Sequence, residues 1–240
     1  MAPKTYVTLE EITSQTIAWG DAFDVVHNLS GKIKKLNLKE YRQILFIGCG
    51  STYYLSLAAA TLFQSMTGCI CKALPSSELM LFPESVFTDG KLLLIAISRS
   101  GTTSETLHVV NDFKKSNRGD VIILTNENNS PLSQLGDISI AINKGREKSV
   151  AQTRSFSSMY LASTYLAFLF GASIDFFTLK TDFIKTGKRL ISTYQDFANK
   201  IGQDQNISQV FFLGSGNCYG LANEVSLKLK EMSQTVTQGF

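Results

Sequence analysis

The chain has 240 residues, of which 44% are apolar and 18% charged, with four prolines and a mean hydropathy of +0.05. These values exclude a disordered or collagenous polymer and leave room for one or two globular domains. Twenty-three basic and 20 acidic side chains give a net charge of +3 with no run of five like charges, so neither nucleic acid nor an acidic membrane is indicated as a partner. Any anion the protein binds is small and locally held.

Thr8 followed three residues later by Glu11 has capping-box spacing and predicts an amphipathic helix from Thr8 to about Ser30. Apolar runs of strand length come next, at Gln43–Ile47, Leu92–Ile97, Val121–Thr125 and Ile138–Ile142. Helical patterns fill Thr52–Met66, Thr103–Lys115, Ala151–Phe170 and about Asp182–Lys200, and Asn129-Ser130-Pro131 supplies a cap and a first-turn proline for a short helix. The stretch Ser155–Ile174 has 20 uncharged residues, enough to span a bilayer, but its six serine and threonine side chains favour a buried core helix. Strands apolar on both faces, alternating with helices, predict a parallel sheet covered on both sides.

The four cysteines (Cys49, Cys69, Cys71, Cys218) and two histidines (His27, His108) show no C-x-x-C or H-x-x-x-H spacing, so no metal, disulfide framework or cofactor is expected. The polar start MAPKTYVTLEE has no secretory apolar region, and with reduced thiols it points to the cytoplasm. A repeat is visible within the chain: Ile44–Tyr53 resembles Val210–Tyr219, with Gly48/Gly214, Gly50/Gly216, Tyr53/Tyr219 and Leu55/Leu221 all offset by 166 residues. Only 31 residues run from Val210 to Phe240, too few to close a second core, so a truncated second copy, or a second half supplied elsewhere, is expected.

Two segments carry candidate chemistry. Gly48-Cys-Gly-Ser-Thr52 joins a strand to a helix, where glycines let backbone N–H groups approach a ligand, although tight-turn packing explains the glycines equally well. Tyr53 replaces a third glycine and no acidic residue follows at the required distance, which disfavours a dinucleotide. Ser98-Arg-Ser-Gly-Thr-Thr103 places four hydroxyls and a guanidinium at the carboxyl end of an apolar strand, a composition suited to a phosphate monoester; the competing reading is a helix cap beside a solvated arginine. Glu224, Lys228 and Glu231 share a helix face, and on spacing alone they read as solvated ion pairs.

Ile47-Gly-Cys-Gly-Ser-Thr-Tyr53, Ser98-Arg-Ser-Gly-Thr-Thr-Ser-Glu105 and Glu147-Lys-Ser-Val-Ala-Gln-Thr-Arg-Ser-Phe156, in this order, resemble the three signatures of the sugar isomerase (SIS) domain family. Their arrangement is similar to the isomerase half of glucosamine-6-phosphate synthase and to tagatose/galactosamine-6-phosphate isomerase-deaminases. The resemblance implies a three-layer α/β/α fold with a five-stranded parallel sheet, followed by the start of a second SIS domain. Residues 1–40 would be a helical lead-in, 41–180 the first domain, 181–208 a connecting helix and 209–240 the truncated second domain.

The resemblance further implies a sugar phosphate ligand, with phosphate contacts at Thr52, Ser98, Arg99, Ser100 and Thr103 and sugar contacts at Cys49, Gly50, Ser51, Val150, Gln152 and Glu224. Glu231 would move a proton between C1 and C2 through an enediol or enolamine, tuned by Lys228 and Glu224. The family's ring-opening histidine lies further along the second domain than Phe240. Sites completed across a subunit interface imply a homodimer. The expected activity is an aldose-ketose isomerase or deaminase acting on an amino-sugar or sugar phosphate. A fructosamine-6-phosphate deglycase, a non-catalytic phosphosugar-binding regulator and an inactive fragment are the alternatives. From the residues alone, Glu147–Arg154 could equally be a charged loop capping the helix that follows.

Overall fold

Strands that are apolar on both faces must lie inside a sheet with helices on each side, and the computed structural model, which describes residues 6–87 and 89–240, has this architecture. Helices α1 (Val7–Thr13) and α2 (Gln15–Ile33) lead into β1 (Gln43–Gly48), α3 (Ser51–Thr67) and β2 (Cys71–Pro75). Then come α4 (Ser76–Leu81), β3 (Leu92–Ile97), α5 (Ser104–Lys115), β4 (Gly119–Thr125) and β5 (Ile138–Ala141). The chain continues through α6 (Arg154–Gly171), α7 (Lys180–Gln203), β6 (Gln209–Phe212), α8 (Asn217–Ser233) and β7 (Val236–Gly239).

The main sheet is wholly parallel in the order β2-β1-β3-β4-β5. One face is covered by α2, α3 and α6, whose Phe23, Phe63 and Tyr165 are fully buried; the other is covered by α4 and α5 through Leu79, Val110 and Phe113. Helix α6 is the uncharged stretch, and it lies in the core with Ser155, Ser158 and Ser163 buried. No helix among the described residues is long and apolar enough to cross a membrane. Strand β2 escaped the sequence pattern because it is a half-exposed edge strand carrying Lys72.

Two local expectations are corrected. Thr8 does not cap a helix: α1 begins at Val7 without a side-chain cap, and the helical run is interrupted at Ser14. Glu11 instead turns into the interior, where the Lys148 N–H and the Ser149 hydroxyl offset the cost of burying its carboxylate. Nor does Asn129-Ser130-Pro131 start a helix. Residues 131–135 form successive turns, in which the Ser130 hydroxyl accepts the Ser133 N–H at 3.2 Å.

The repeat is present in the backbone. Gly50 has φ 56° and ψ −125°, Gly216 has φ 60° and ψ −129°, and each stands immediately before its helix. A side chain is disfavoured at such angles. The second copy forms a β6-α8-β7 unit with its own two-stranded parallel sheet, and α8 lies against α3. The closest approach is at Gly220, where a Cβ would come 2.5 Å from the Tyr54 carbonyl oxygen and 2.6 Å from the Ala58 nitrogen. Tyr54 is the residue offset from Gly220 by the repeat distance of 166, so equivalent positions of the two copies meet.

Gly220→Ala is therefore expected to push α8 off α3 and to cost about 1–3 kcal/mol in urea melts. Hydrogen exchange should speed up across 209–240 while β1–β5 stay protected; unchanged exchange in 209–240 would contradict this packing.

Candidate functional site

In the observed strand order the chain passes from β1 outward to β2 and then returns to the other side of β1 for β3, so the carboxyl ends of β1 and β3 flank the point where the winding reverses. Open α/β sheets hold ligands in such a crevice. The Gly48–Thr52 elbow follows β1, and the Ser98–Thr103 turn follows β3 beside it.

The four hydroxyls of the turn form two pairs. Ser98, 1% exposed, meets Thr103 at 2.9 Å and accepts the Gly101 N–H at 3.1 Å, so this pair braces the turn from inside. Ser100 meets Thr102 at 2.9 Å, and both are exposed. The turn is also tied to β4, since the Arg99 carbonyl accepts from the Asn126 N–H and the Thr125 hydroxyl, each at 3.1 Å. Gly101, at φ +63°, crosses so close to Ser130 that a Cβ would lie 2.0 Å from its Oγ. No side chain caps α5 in the usual N-cap geometry. Instead, Glu105 folds back onto its own N–H, and that bond together with the Ser104 hydroxyl holds its carboxyl below the usual carboxylate range. This helix start attracts negative charge.

Arg99 is not a solvated side chain. Its Nη1 donates to the Ser149 and Val150 carbonyls at 3.1 and 3.0 Å and lies 3.8 Å from the fully buried Glu147 carboxylate. Glu147 in turn accepts the Thr153 N–H at 2.7 Å, the Thr153 hydroxyl at 2.6 Å and the Ser155 hydroxyl, and so closes the start of α6. The third motif thus braces the start of its helix through Glu147, without a cap bond from Thr153 itself, and it also presents a loop to Arg99. In that loop the Val150 side chain is 90% exposed, and Gln152 holds a buried Oε1 with no donor among the described residues.

In the elbow, the Thr52 hydroxyl accepts the Cys49 N–H and donates to the Cys49 carbonyl, both at 2.9 Å, which commits it to shaping the turn. The Cys49 Sγ lies 3.9 Å from the Thr106 hydroxyl, which meets Ser76 at 2.9 Å. Thr106 and Ser76 are fully buried, and sequence patterns gave no sign that they back the elbow.

The structure brings the α8 line to this elbow. Glu224 is 3% exposed, near Ser51, and neither of its oxygens makes a well-formed hydrogen bond; Lys228 Nζ is 3.5 Å away. Burial pushes the Glu224 carboxyl up to about 7, opposed by Lys228 and Ser51 and reinforced by Glu231. Lys228, with 12% of its side chain exposed, also bonds Glu231, which is 40% exposed. The solvated-face reading therefore holds only for the Glu231 end. Among the described residues no hydrogen bond or ion pair joins this line to Val150 or Gln152.

Because the folded chain keeps the Glu224 proton longer than the unfolded chain does, stability should fall as pH rises from 4.5 toward about 7 and then level off. Glu224→Gln is expected to flatten this slope and to gain roughly 1–3 kcal/mol at about pH 8 in urea melts. A variant that keeps the native slope would contradict the burial.

Comparison with known proteins gives the family of the chain. The chain is 28% identical over 214 residues to a glutamine–fructose-6-phosphate aminotransferase of Helicobacter pylori, covering 85% of this chain and 35% of that protein. It is 26% identical to the Idiomarina loihiensis enzyme of the same name, over 97% of this chain and 40% of that one, so it spans well under half the length of these relatives. Glucosamine-6-phosphate deaminase from Thermotoga maritima superposes with a TM-score of 0.80 at 26% identity, covering 98% of this chain and 70% of that one. For tagatose-6-phosphate ketose/aldose isomerase from Escherichia coli the TM-score is 0.85 at 22% identity, with 99% and 68% covered, a likeness of fold. The SIS domain model matches residues 37–169, from just before β1 almost to the end of α6, and with the elbow, the hydroxyl turn and the capped loop all inside that span the chain belongs to the SIS domain family.

Proposed function

We propose that the crevice binds a phosphorylated hexose or amino-hexose and that the chain carries aldose-ketose isomerase or deaminase chemistry. The observation that carries this reading is the adjacency of two unlike environments. A braced hydroxyl turn at an anion-attracting helix start lies on one side, and on the other a carboxylate–ammonium–carboxylate line on α8 runs from Glu224, buried near Ser51, to the exposed Glu231. The first suits a phosphate dianion. The second suits proton transfer at carbon, which needs a carboxylate close to a cation that can stabilise charge developing on the neighbouring oxygen.

In this reading Ser100, Thr102 and backbone N–H groups of the 98–103 turn receive the phosphate, with Ser98 and Thr103 holding the turn in shape. Arg99 acts through the Ser149–Val150 carbonyls, and Thr52 acts by shaping the elbow, so both support the ligand site indirectly. Cys49, Gly50, Ser51, Val150 and Gln152 face the sugar, and the buried Gln152 Oε1 suits a sugar hydroxyl as donor. Glu231, the more accessible carboxylate, takes the proton from C2 and returns it to C1, while a second proton moves between the two oxygens, so that the aldose becomes a ketose with no net loss of atoms. With an amino group at C2 the same step gives a ketimine, which water hydrolyses to ketose and ammonia. Lys228, fixed by Glu224, holds Glu231 in place.

The similarity to glutamine–fructose-6-phosphate aminotransferases and to a glucosamine-6-phosphate deaminase supports this substrate class. The same reading takes residues 1–40 as the lead-in, 41–180 as the first SIS domain, 181–208 as the connection and 209–240 as the opening of a second SIS domain. It also takes the working form to be a pair of subunits in the cytoplasm.

Incubation with glucosamine 6-phosphate and with fructose 6-phosphate, measuring ammonia and the aldose/ketose ratio, tests the proposal. Glu231→Gln is expected to lower turnover by about 10²–10⁴-fold with little change in affinity. Ser100→Ala is expected to weaken binding by roughly 3–10-fold. Tight binding with no turnover by the native chain would make the protein a phosphosugar-binding regulator. Full turnover by Glu231→Gln would remove Glu231 as the base.

A further inference from the structure

Glu11 is 3% exposed on α1, far in sequence from every motif of the site. A carboxylate is buried only where its lone pairs are met, and the partners here are specific. Its Oε1 accepts the Lys148 N–H at 2.6 Å, and its Oε2 accepts the Ser149 hydroxyl. Arg154 lies 4.0 Å away and donates to Ser14 at 3.0 Å, closing the same corner. Burial alone would raise the Glu11 carboxyl; the Ser149 hydroxyl, the two loop N–H groups and Arg154 bring it below the usual range, so it is ionised at neutral pH.

Both of the residues Glu11 holds lie in the loop that Arg99 holds from the other side. Ser149 is gripped twice, its hydroxyl by Glu11 and its carbonyl by Arg99 at 3.1 Å; the Val150 carbonyl, next along, is held by Arg99 at 3.0 Å. The 98–103 turn, by contrast, is fixed without Glu11, through Thr125, Asn126 and the Ser98–Thr103 pair. The loop on the sugar side therefore leans on the turn through Arg99 and on α1 through Glu11, whereas the turn on the phosphate side is fixed without α1.

We propose that Glu11 is a positioning residue for the sugar side of the site: without touching the ligand, it sets the loop from Lys148 to Gln152, and α1 is the backstop of that loop. This rests on the site reading given under the proposed function. Its distinguishing consequence is a split between two ligands that share a phosphate. Inorganic phosphate reports the turn alone, and glucosamine 6-phosphate reports the turn plus the loop.

The test is calorimetric titration of the native chain, Glu11→Ala and Glu11→Gln with both ligands, with hydrogen exchange measured over 147–152. Glu11→Ala should weaken glucosamine 6-phosphate at least 5-fold, leave inorganic phosphate within 2-fold and speed exchange in the loop. Glu11→Gln, which keeps an acceptor for the Lys148 N–H, should recover most of the affinity. Equal weakening of both ligands, or of neither, would overturn the inference while leaving the site reading intact. Native protein that binds neither ligand would overturn both, and the exchange data would then still show whether Glu11 holds the loop.

Discussion

The functional architecture depends on one topological constraint, the reversal of winding between β1 and β3. Because these strands are neighbours while their connections leave in opposite directions, the segments after them cannot close over each other, and a crevice remains at their carboxyl ends. Everything assigned to the ligand is built on the rim of that crevice. The elbow after β1 brings Cys49 and Ser51, and the turn after β3 brings Ser100 and Thr102. The loop before α6 is carried to the same place by Arg99.

A second constraint brings in the α8 line. Helix α8 can lie on α3 only because Gly220 lets the two backbones approach, and the approach places Glu224 against Ser51 and away from water. The protein thereby holds a proton-binding carboxyl close to a lysine that a second, more accessible carboxylate shares. Desolvation raises the Glu224 carboxyl alone, while Lys228 ties it to the exposed end of the same helix face.

Legibility in the sequence followed burial. Strands β1, β3 and β4 were readable because they are largely buried and therefore apolar, and the edge strand β5 because Ile138 and Ile140 are buried in alternation, whereas the edge strand β2, with Lys72 exposed, carried no such signal. The hydroxyl-rich turn after β3 was visible in the composition, but not the division of its hydroxyls into an inner bracing pair and an outer pair, which depends on the fold of the turn. Glu11 misled because its local spacing fits a cap while its partners lie 137 and 138 residues away. The spacing of Glu224, Lys228 and Glu231 was visible, but the burial of Glu224 was not, since it follows from contact with a helix 166 residues earlier in the repeat.

The central claim is that a phosphate monoester is held at the Ser98–Thr103 turn with its sugar directed toward α8. A crystal structure of the protein soaked with fructose 6-phosphate tests this most directly. The phosphorus should lie within hydrogen-bonding reach of the Ser100 and Thr102 hydroxyls and the start of α5, with the sugar between the Cys49–Ser51 elbow and Glu231. A phosphate found instead at the start of α8, or in the cleft formed by Phe87, His108 and Arg118, would contradict it.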